Sequence, residues 1–361
     1  MNLLVVAVAG SRKTQSIVDA CASGVAKRRL VISFTTNAQA DVAARLREAC
    51  SPADVPVVLG WFTFLLQDWV RPFVPNKYPG RRLKGFNYEG LPRTNSRNVV
   101  VASGEERYFD SDSRAYGRFL SKLAFDVSGA SAGQVIYRLE QMYDEIYIDE
   151  VQDLTGYDLD ILELLLRSAI RINMVGDLRQ SLFSTNYSDP RNRKYKGLGM
   201  LAWFKEMEVQ RLLELKNEVT TWRSNQAIAT FSDNIFDSSY GFLPTESHQT
   251  EVSGHDGLFV VAPEGVSDYL ATYAPNILRA SKATPIPLGL NATNFGSSKG
   301  VTHDRVLIYP TGTIAKFLTS GVPLAEKAAF GLYVAVTRAK YSVAFVHPKP
   351  TATGLVEWKS T

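Results

Sequence analysis

Cysteine is nearly absent from this chain: Cys21 and Cys50 are its only two in 361 residues, too few for a disulfide framework. Histidine is scarce too, and its four copies show no spacing suited to a transition metal. No stretch approaches the roughly 20 apolar residues of a membrane span. The opening "MNLLVVAVAG" has neither the basic flank nor the small-residue cleavage site of a secretory leader. These absences lead us to expect a cytoplasmic protein with no membrane partner, whose first residues form a buried strand. A dominant charge is also missing. Forty Lys and Arg face 36 Asp and Glu, so total charge barely favours a nucleic-acid partner, and placement of charge must decide.

What remains is an ordinary globular composition, 45% hydrophobic, at a length that suits about two domains. In the first half, the short apolar runs "LLVVAVA", "RLVISF", "VPVVLG", "EIYIDE" and "RINMVGD" alternate with amphipathic stretches. That alternation is the pattern of a parallel sheet with crossover helices. The rhythm breaks at about residues 70–134, which read as an insertion carrying one helix around "SRAYGRFLSKLAF". A second series follows, with strands expected at "GLFVV", "IPLGL", "RVLIYP" and "YSVAFV".

Chemistry enters with "VAVAGSRKTQSIVDA", a strand, a tight turn and a helix. Such a turn aims backbone N–H groups and the helix dipole at an anion. In that role Lys13 would reach the terminal phosphates and Thr14 would ligate Mg2+, but Arg12 occupies the place of the last glycine in the G-x-x-x-x-G-K-[ST] pattern, and an ordinary strand-to-helix turn is the rival reading. In "YDEIYIDEVQDL" an apolar strand ends in adjacent carboxylates. There Asp149 can hold a metal ion through water while Glu150 polarises the water that attacks the γ-phosphate, with a solvated acidic strand end as the rival reading. "INMVGDLRQSLF" sets Asp177 and Gln180 after another buried strand, where a neutral amide can sense the γ-phosphate.

The order of these pieces resembles the UvrD/Rep-type superfamily 1 DNA helicases, in a compact form lacking most accessory insertions. "AGSRKT" is similar to motif I, "VISFTTNAQADVAARL" to Ia, "GWFTFLL" to Ib, "IDEVQDL" to II and "VGDLRQSLF" to III. "TTWRSNQAI" is similar to motif IV, "NFGSSKGVTHDRVLIYP" to V and "LYVAVTRAK" to VI. The resemblance implies an α/β fold of two RecA-like P-loop lobes, each a mainly parallel sheet with helices on both faces. The first is expected over residues 1–196, with the short insertion, and the second over 197–361.

By the same resemblance, ATP is held by Gly10, Ser11, Arg12, Lys13, Thr14, Gln15, Asp149, Trp222, Lys299 and Gly300, with Mg2+ at Thr14 and Asp149. Trp222 stands where an aromatic stacks on the adenine. Catalysis falls to Glu150 and Gln180, joined by Arg223 and Arg338 acting as arginine fingers when the lobes close. Single-stranded DNA is expected on Phe34, Thr36, Phe62, Phe64, Phe183 and Tyr187, because exposed aromatics stack bases without reading sequence. Two basic stretches interleaved with aromatics, "KYPGRRLKGFNYEGLPRTNSR" and "NYSDPRNRKYKG", suit phosphate contacts.

The chain departs from the family at identifiable places. A side chain at position 12 must either turn away from the phosphates or add its charge to them. No glutamine-bearing segment precedes motif I, and Gln15 replaces an arginine that stacks on the base, which together imply weak base discrimination. Thr185 stands at the place of a base-stacking tryptophan, leaving Phe183 or Tyr187 as substitutes, and Thr302 replaces a ribose-contacting glutamate. The resulting expectation is an ATP-dependent single-stranded DNA translocase or helicase, moving 3′ to 5′. Its rival is a non-catalytic helicase-like subunit that senses nucleotide or DNA and regulates a partner nuclease. A small-molecule P-loop kinase explains none of motifs IV to VI.

Overall fold

Five apolar runs of the first half become five strands of one sheet: β1 (Asn2–Ala7), β2 (Arg29–Ser33), β3 (Val57–Gly60), β4 (Glu145–Ile148) and β5 (Arg171–Gly176). A sixth, β6 (Leu213–Glu218), completes it in the order β3-β2-β4-β5-β1-β6. The pairs β2–β3, β2–β4 and β4–β5 run parallel. β2 is buried along its whole length, as expected of a strand covered on both faces. The computed structural model describes residues 1–97, 99–185 and 189–360.

A second six-stranded sheet follows, made of β7 (Gly257–Val261), β8 (Asn276–Arg279), β9 (Thr293–Asn294), β10 (His303–Tyr309), β11 (Ala339–Val346) and β12 (Val356–Trp358). Its order is β9-β8-β10-β11-β7-β12, and every neighbouring pair is parallel. The fold is therefore α/β, with two parallel-type sheets that fit two RecA-like lobes.

Two expectations are corrected. "IPLGL" is not a strand; the chain uses Asn276–Arg279 instead. Pro285 and Pro287 cannot donate to a ladder, and Gly289 turns left-handed at φ +85°. The helix expected at "SRAYGRFLSKLAF" begins only at Leu120 and runs to Ala130, because Arg114–Tyr116 pairs with Gly85–Asn87 in a small two-stranded sheet.

The chain divides into two compact units. The first comprises Met1–Val5, Thr14–Val175 and Ser184–Lys216; the second comprises Val6–Lys13, Gly176–Phe183 and Asn217–Thr361. The sequence boundary at 196/197 thus falls within a segment of the first unit. In that unit Ile17, Val18 and Cys21 of the first helix, α1 (Lys13–Ser23), pack with Val31, Val42, Leu46 and Tyr147. In the second, Val261, Leu307, Ala344 and Val346 of the sheet pack with Val266 and Tyr269. No helix among the described residues is long and apolar enough to cross a membrane.

Candidate nucleotide site

The turn after β1 is tight and holds two left-handed residues. Ser11 N–H donates to Val8 O (3.3 Å), and both Gly10 (φ +77°) and Arg12 (φ +63°) are left-handed. Gly10 is required twice over. Its φ suits glycine, and an added Cβ would lie 2.6 Å from Thr221 Oγ1 and 2.7 Å from Arg223 Cβ. Arg12 takes a conformation that favours glycine, and its guanidinium carbon lies 4.2 Å from the centroid of the Trp222 ring. The loop is tied to motif IV by Thr221 Oγ1 donating to Ala9 O (2.8 Å) and Trp222 N–H donating to Gly10 O (3.0 Å). α1 starts at Lys13 with no acidic residue in its first turn, so no carboxylate competes there for an anion. Ser11 Oγ is buried without a hydrogen-bond partner among the described residues, an orphaned donor at the turn. Gln15 is turned along α1, its Nε2 donating to Asp19 Oδ1 (2.8 Å).

Motifs I and II meet within the first unit. Thr14 Oγ1 donates to Asp149 Oδ2 (2.9 Å), and Glu150 N–H donates to Asp149 Oδ1 (2.9 Å). Asp149 is 3% exposed and its own N–H donates to Ile32 O, continuing the β2–β4 ladder. Glu150 takes φ +52°, an unusual conformation for a residue with a side chain, and its Oε2 accepts a hydrogen bond from Gln152 Nε2. A hydroxyl and a carboxylate brought together in this way are hard oxygen donors of the kind that Mg2+ takes. The donor set therefore fits that ion. Among the described residues no cluster of three or more His, Cys, Asp or Glu could hold a metal.

Motif III sits in a buried polar network of the second unit. Asp177 Oδ2 accepts from Gln180 Nε2 (2.8 Å) and from the Tyr333 hydroxyl (2.9 Å), and Oδ1 accepts from Arg179 N–H (3.1 Å). Tyr333 in turn accepts from Ala9 N–H (3.3 Å), which carries the network into the phosphate loop. Arg179 donates to Asp233 Oδ1 (2.6 Å) and lies over the Tyr333 ring. Burial holds the Tyr333 phenol well above its ordinary pKa, so it stays protonated. Burial works to lower the pKa of Arg179, yet Tyr333, Asp177 and Asp233 beside it raise it overall. Arg179, Tyr333 and Asp233 escape sequence reasoning. The first two lie inside motifs III and VI, but nothing in their spacing announces a shared carboxylate.

The remaining nucleotide candidates also lie in the second unit. Arg223 Nη1 donates to Thr337 O (3.0 Å), the carbonyl just before Arg338. Arg338 is 2% exposed and donates to Val334 O (3.0 Å) and Val301 O (3.4 Å), joining motif VI to motif V. Lys299 Nζ lies 5.5 Å from the Phe183 centroid, and Gly300 is left-handed at φ +88°.

The DNA candidates separate by burial. Phe183 is half-exposed, Phe34 and Phe62 are partly exposed, and Thr36 at the start of the second helix, α2 (Thr36–Ala49), is open to solvent. Phe64 is corrected: it is fully buried, its ring against Trp61 and Trp69, and it has no face to offer a base. Tyr187 lies outside the described residues. Thr185 is bound into the core of the first unit, donating to the buried Asp158 and accepting from Thr155 N–H (3.1 Å). Part of each basic stretch is neutralised locally, Arg81 by Glu105 and Arg191 by Asp160.

Comparison with known proteins finds a family match over the stretch that holds the motif II and III segments. Residues 116–196 match the UvrD/REP helicase N-terminal domain. An ATP-dependent helicase/nuclease subunit from Lactococcus lactis subsp. lactis (strain IL1403) is 35% identical over 100 residues. That match covers 27% of this chain and only 8% of the relative. Both matches are to UvrD-type helicase sequences, and each covers less than a third of this chain. Among solved structures, a PRRSV helicase superposes with a TM-score of 0.47 at 15% identity, covering 100% of this chain and 55% of that one. An Arterivirus nonstructural protein 10 helicase in complex with DNA gives 0.47 at 19%, covering 98% and 63%.

Proposed function

We propose that this chain is a DNA-dependent ATPase that moves 3′ to 5′ on single-stranded DNA, with stepping or modest unwinding as its output. The observation that carries this reading is the 2.9 Å hydrogen bond from Thr14 to Asp149, beside Glu150. It brings a motif I hydroxyl to a motif II carboxylate. The UvrD/REP match over residues 116–196 and the helicase/nuclease relative support the same class.

In this mechanism Lys13, Ser11 and the N–H groups at the start of α1 hold the phosphates. Thr14 and Asp149 would hold Mg2+, which would supply positive charge to the phosphates during transfer. Glu150 orients the attacking water and takes its proton. Gln180, its amide nitrogen anchored on Asp177, keeps its carbonyl oxygen for the water or its amide for the γ-phosphate. Arg223 and Arg338 supply guanidinium groups to the charge that develops in transfer. Phe34, Thr36, Phe62 and Phe183 contact the strand by stacking and polar contact.

The test is phosphate release by the purified chain with and without single-stranded DNA. Hydrolysis stimulated by the strand, and lost in Glu150→Gln, supports the motor. Nucleotide binding without turnover, with turnover restored by Arg12→Gly, favours the sensing protein that regulates a nuclease. That second reading draws on Arg12, which stands in the turn at φ +63° where glycine is the relaxed residue.

A further inference from the structure

The two sheets share one strand order, β3-β2-β4-β5-β1-β6 in the first and β9-β8-β10-β11-β7-β12 in the second, so each strand of one has a counterpart in the other. One connection does not. β2 is joined to β3 by α2, whose Val42 and Leu46 pack with Val31 and with α1. β8 is joined to β9 by residues 280–292, which hold no helix, since Pro285, Pro287 and the left-handed Gly289 interrupt it. The helix Val266–Tyr273 packs on the second sheet as α1 does on the first, but only Ile286 and Leu290 stand in for α2. The missing helix leaves a cavity of about 520 Å³ between β8 and this connection, lined in part by Ile277, Arg279, Ile286, Leu288 and Leu290. Leu288 is fully exposed. Among the described residues Arg279 Nε is buried with no hydrogen-bond partner, and no carboxylate pairs with the guanidinium. Its register neighbours carry orphans too, Asn294 Oδ1 on β9 and the Tyr309 hydroxyl on β10. Buried polar groups cost free energy until something pairs with them. The charge that would pair here is negative: no Asp or Glu stands between Asp268 and Asp304, whereas Arg279 and Lys282 do.

We propose that the face of the second sheet left bare between β8 and β9 docks an acidic amphipathic helix of a partner protein, in the place that α2 fills on the first sheet. The helix lays apolar side chains on Ile286, Leu288 and Leu290, as helices do in apolar grooves. One of its carboxylates pairs with the Arg279 guanidinium, whose fork of donors matches that group. An extended segment has less to pair with, because β9 already occupies the edge of β8 at Leu278 and Arg279. The contact lies within the second unit and does not depend on nucleotide turnover.

The test displays a library of random 14-residue peptides, the length of α2, and keeps those that bind the full wild-type chain but not Arg279→Met. Survivors are expected to carry apolar residues at a spacing of three and four, with Asp or Glu beside them. Their affinity, read by anisotropy of the labelled peptide, is expected to fall about tenfold or more in Leu288→Asp. An empty selection overturns the proposal. So do survivors without a carboxylate, survivors with a period of two, and survivors indifferent to Leu288→Asp. Two further measurements use Arg279→Met alone. Its melting temperature is expected to equal or exceed that of the wild type, because the change removes an unpaired charge. A lower one shows that Arg279 is already satisfied within the fold and overturns the docking role. Affinity for a labelled single-stranded oligonucleotide is expected to be unchanged. A loss there makes Arg279 a nucleic-acid contact and overturns it as well.

Discussion

Thr14 Oγ1 donates a 2.9 Å hydrogen bond to Asp149 Oδ2, across 135 residues of sequence. The hydroxyl follows the loop lysine on α1, and the carboxylate ends β4. The β2–β4 ladder, which Asp149 N–H extends to Ile32 O, positions the carboxylate, while α1 follows β1, which β5 separates from β4 in the sheet. The pair is thus set by the sheet, and its chemistry can be probed one atom at a time.

Removing the hydroxyl in Thr14→Ala is expected to reduce Mg2+-dependent phosphate release about a hundredfold, as the loss of one of two protein contacts to the ion. Thr14→Ser, which keeps the oxygen, is expected to retain most of the activity. A Mg2+ titration of both variants checks this.

The bridge from Ala9 N–H through Tyr333 to Asp177 predicts a second effect. Tyr333→Phe leaves the ring in place but strips a donor from a buried carboxylate and a partner from a loop N–H. The expected cost is about 1–2 kcal/mol of stability, together with slower hydrolysis, because Gln180 shares that carboxylate. Denaturant unfolding beside steady-state phosphate release measures both, and an unchanged midpoint would show that the bridge carries no stability.

Phe62 and Phe64 are two residues apart and are expected to fail differently. Phe64→Ala empties a fully buried site between Trp61 and Trp69, at a cost of about 3–5 kcal/mol. Phe62→Ala, at a partly exposed ring beside Tyr88, is expected to keep the melting temperature and weaken single-stranded DNA binding about tenfold. Thermal melts and anisotropy of a labelled oligonucleotide separate the two.

His255 predicts a pH dependence. Its ring is stacked between Phe259 (3.9 Å) and Tyr273 (3.8 Å) and hydrogen-bonded to the Tyr269 hydroxyl. Burial, reinforced by Arg305 and opposed by Asp256, lowers its pKa from 6.5 to about 4. The unfolded chain then takes up this proton first as pH falls. The contribution is complete above pH 6.5, is lost progressively down to about 4, and is flat below. The loss amounts to roughly 3 kcal/mol. His255→Phe, which keeps the stack and cannot titrate, is expected to remove this part of the slope in melts recorded across that range.

Much of the first sheet was legible because strands buried on both faces read as unbroken apolar runs, as "RLVISF" and "EIYIDE" do. β6 was not, since "LELKNE" alternates polar residues and carries no such run. "IPLGL" misled because its apolar letters hide Pro287, with Pro285 just before it. At the candidate site, the loop, the paired carboxylates and Gln180 stand at motif spacings, which is what makes them candidates from sequence. Phe64 could not be separated from Phe62 by sequence, because the helix Trp61–Phe64 turns one ring inward and leaves the other partly outward. Tyr333 was invisible for another reason: its partners, Ala9 and Asp177, are 324 and 156 residues away.

The central claim is that Glu150 activates water for ATP hydrolysis that answers to DNA. Phosphate release by the purified wild type and by Glu150→Gln, each with and without single-stranded DNA, tests it most directly. The account predicts strand-stimulated turnover in the wild type and at least about a hundredfold less in the variant, with nucleotide binding preserved. Equal rates in the two proteins, or a wild-type rate indifferent to the strand, would contradict it.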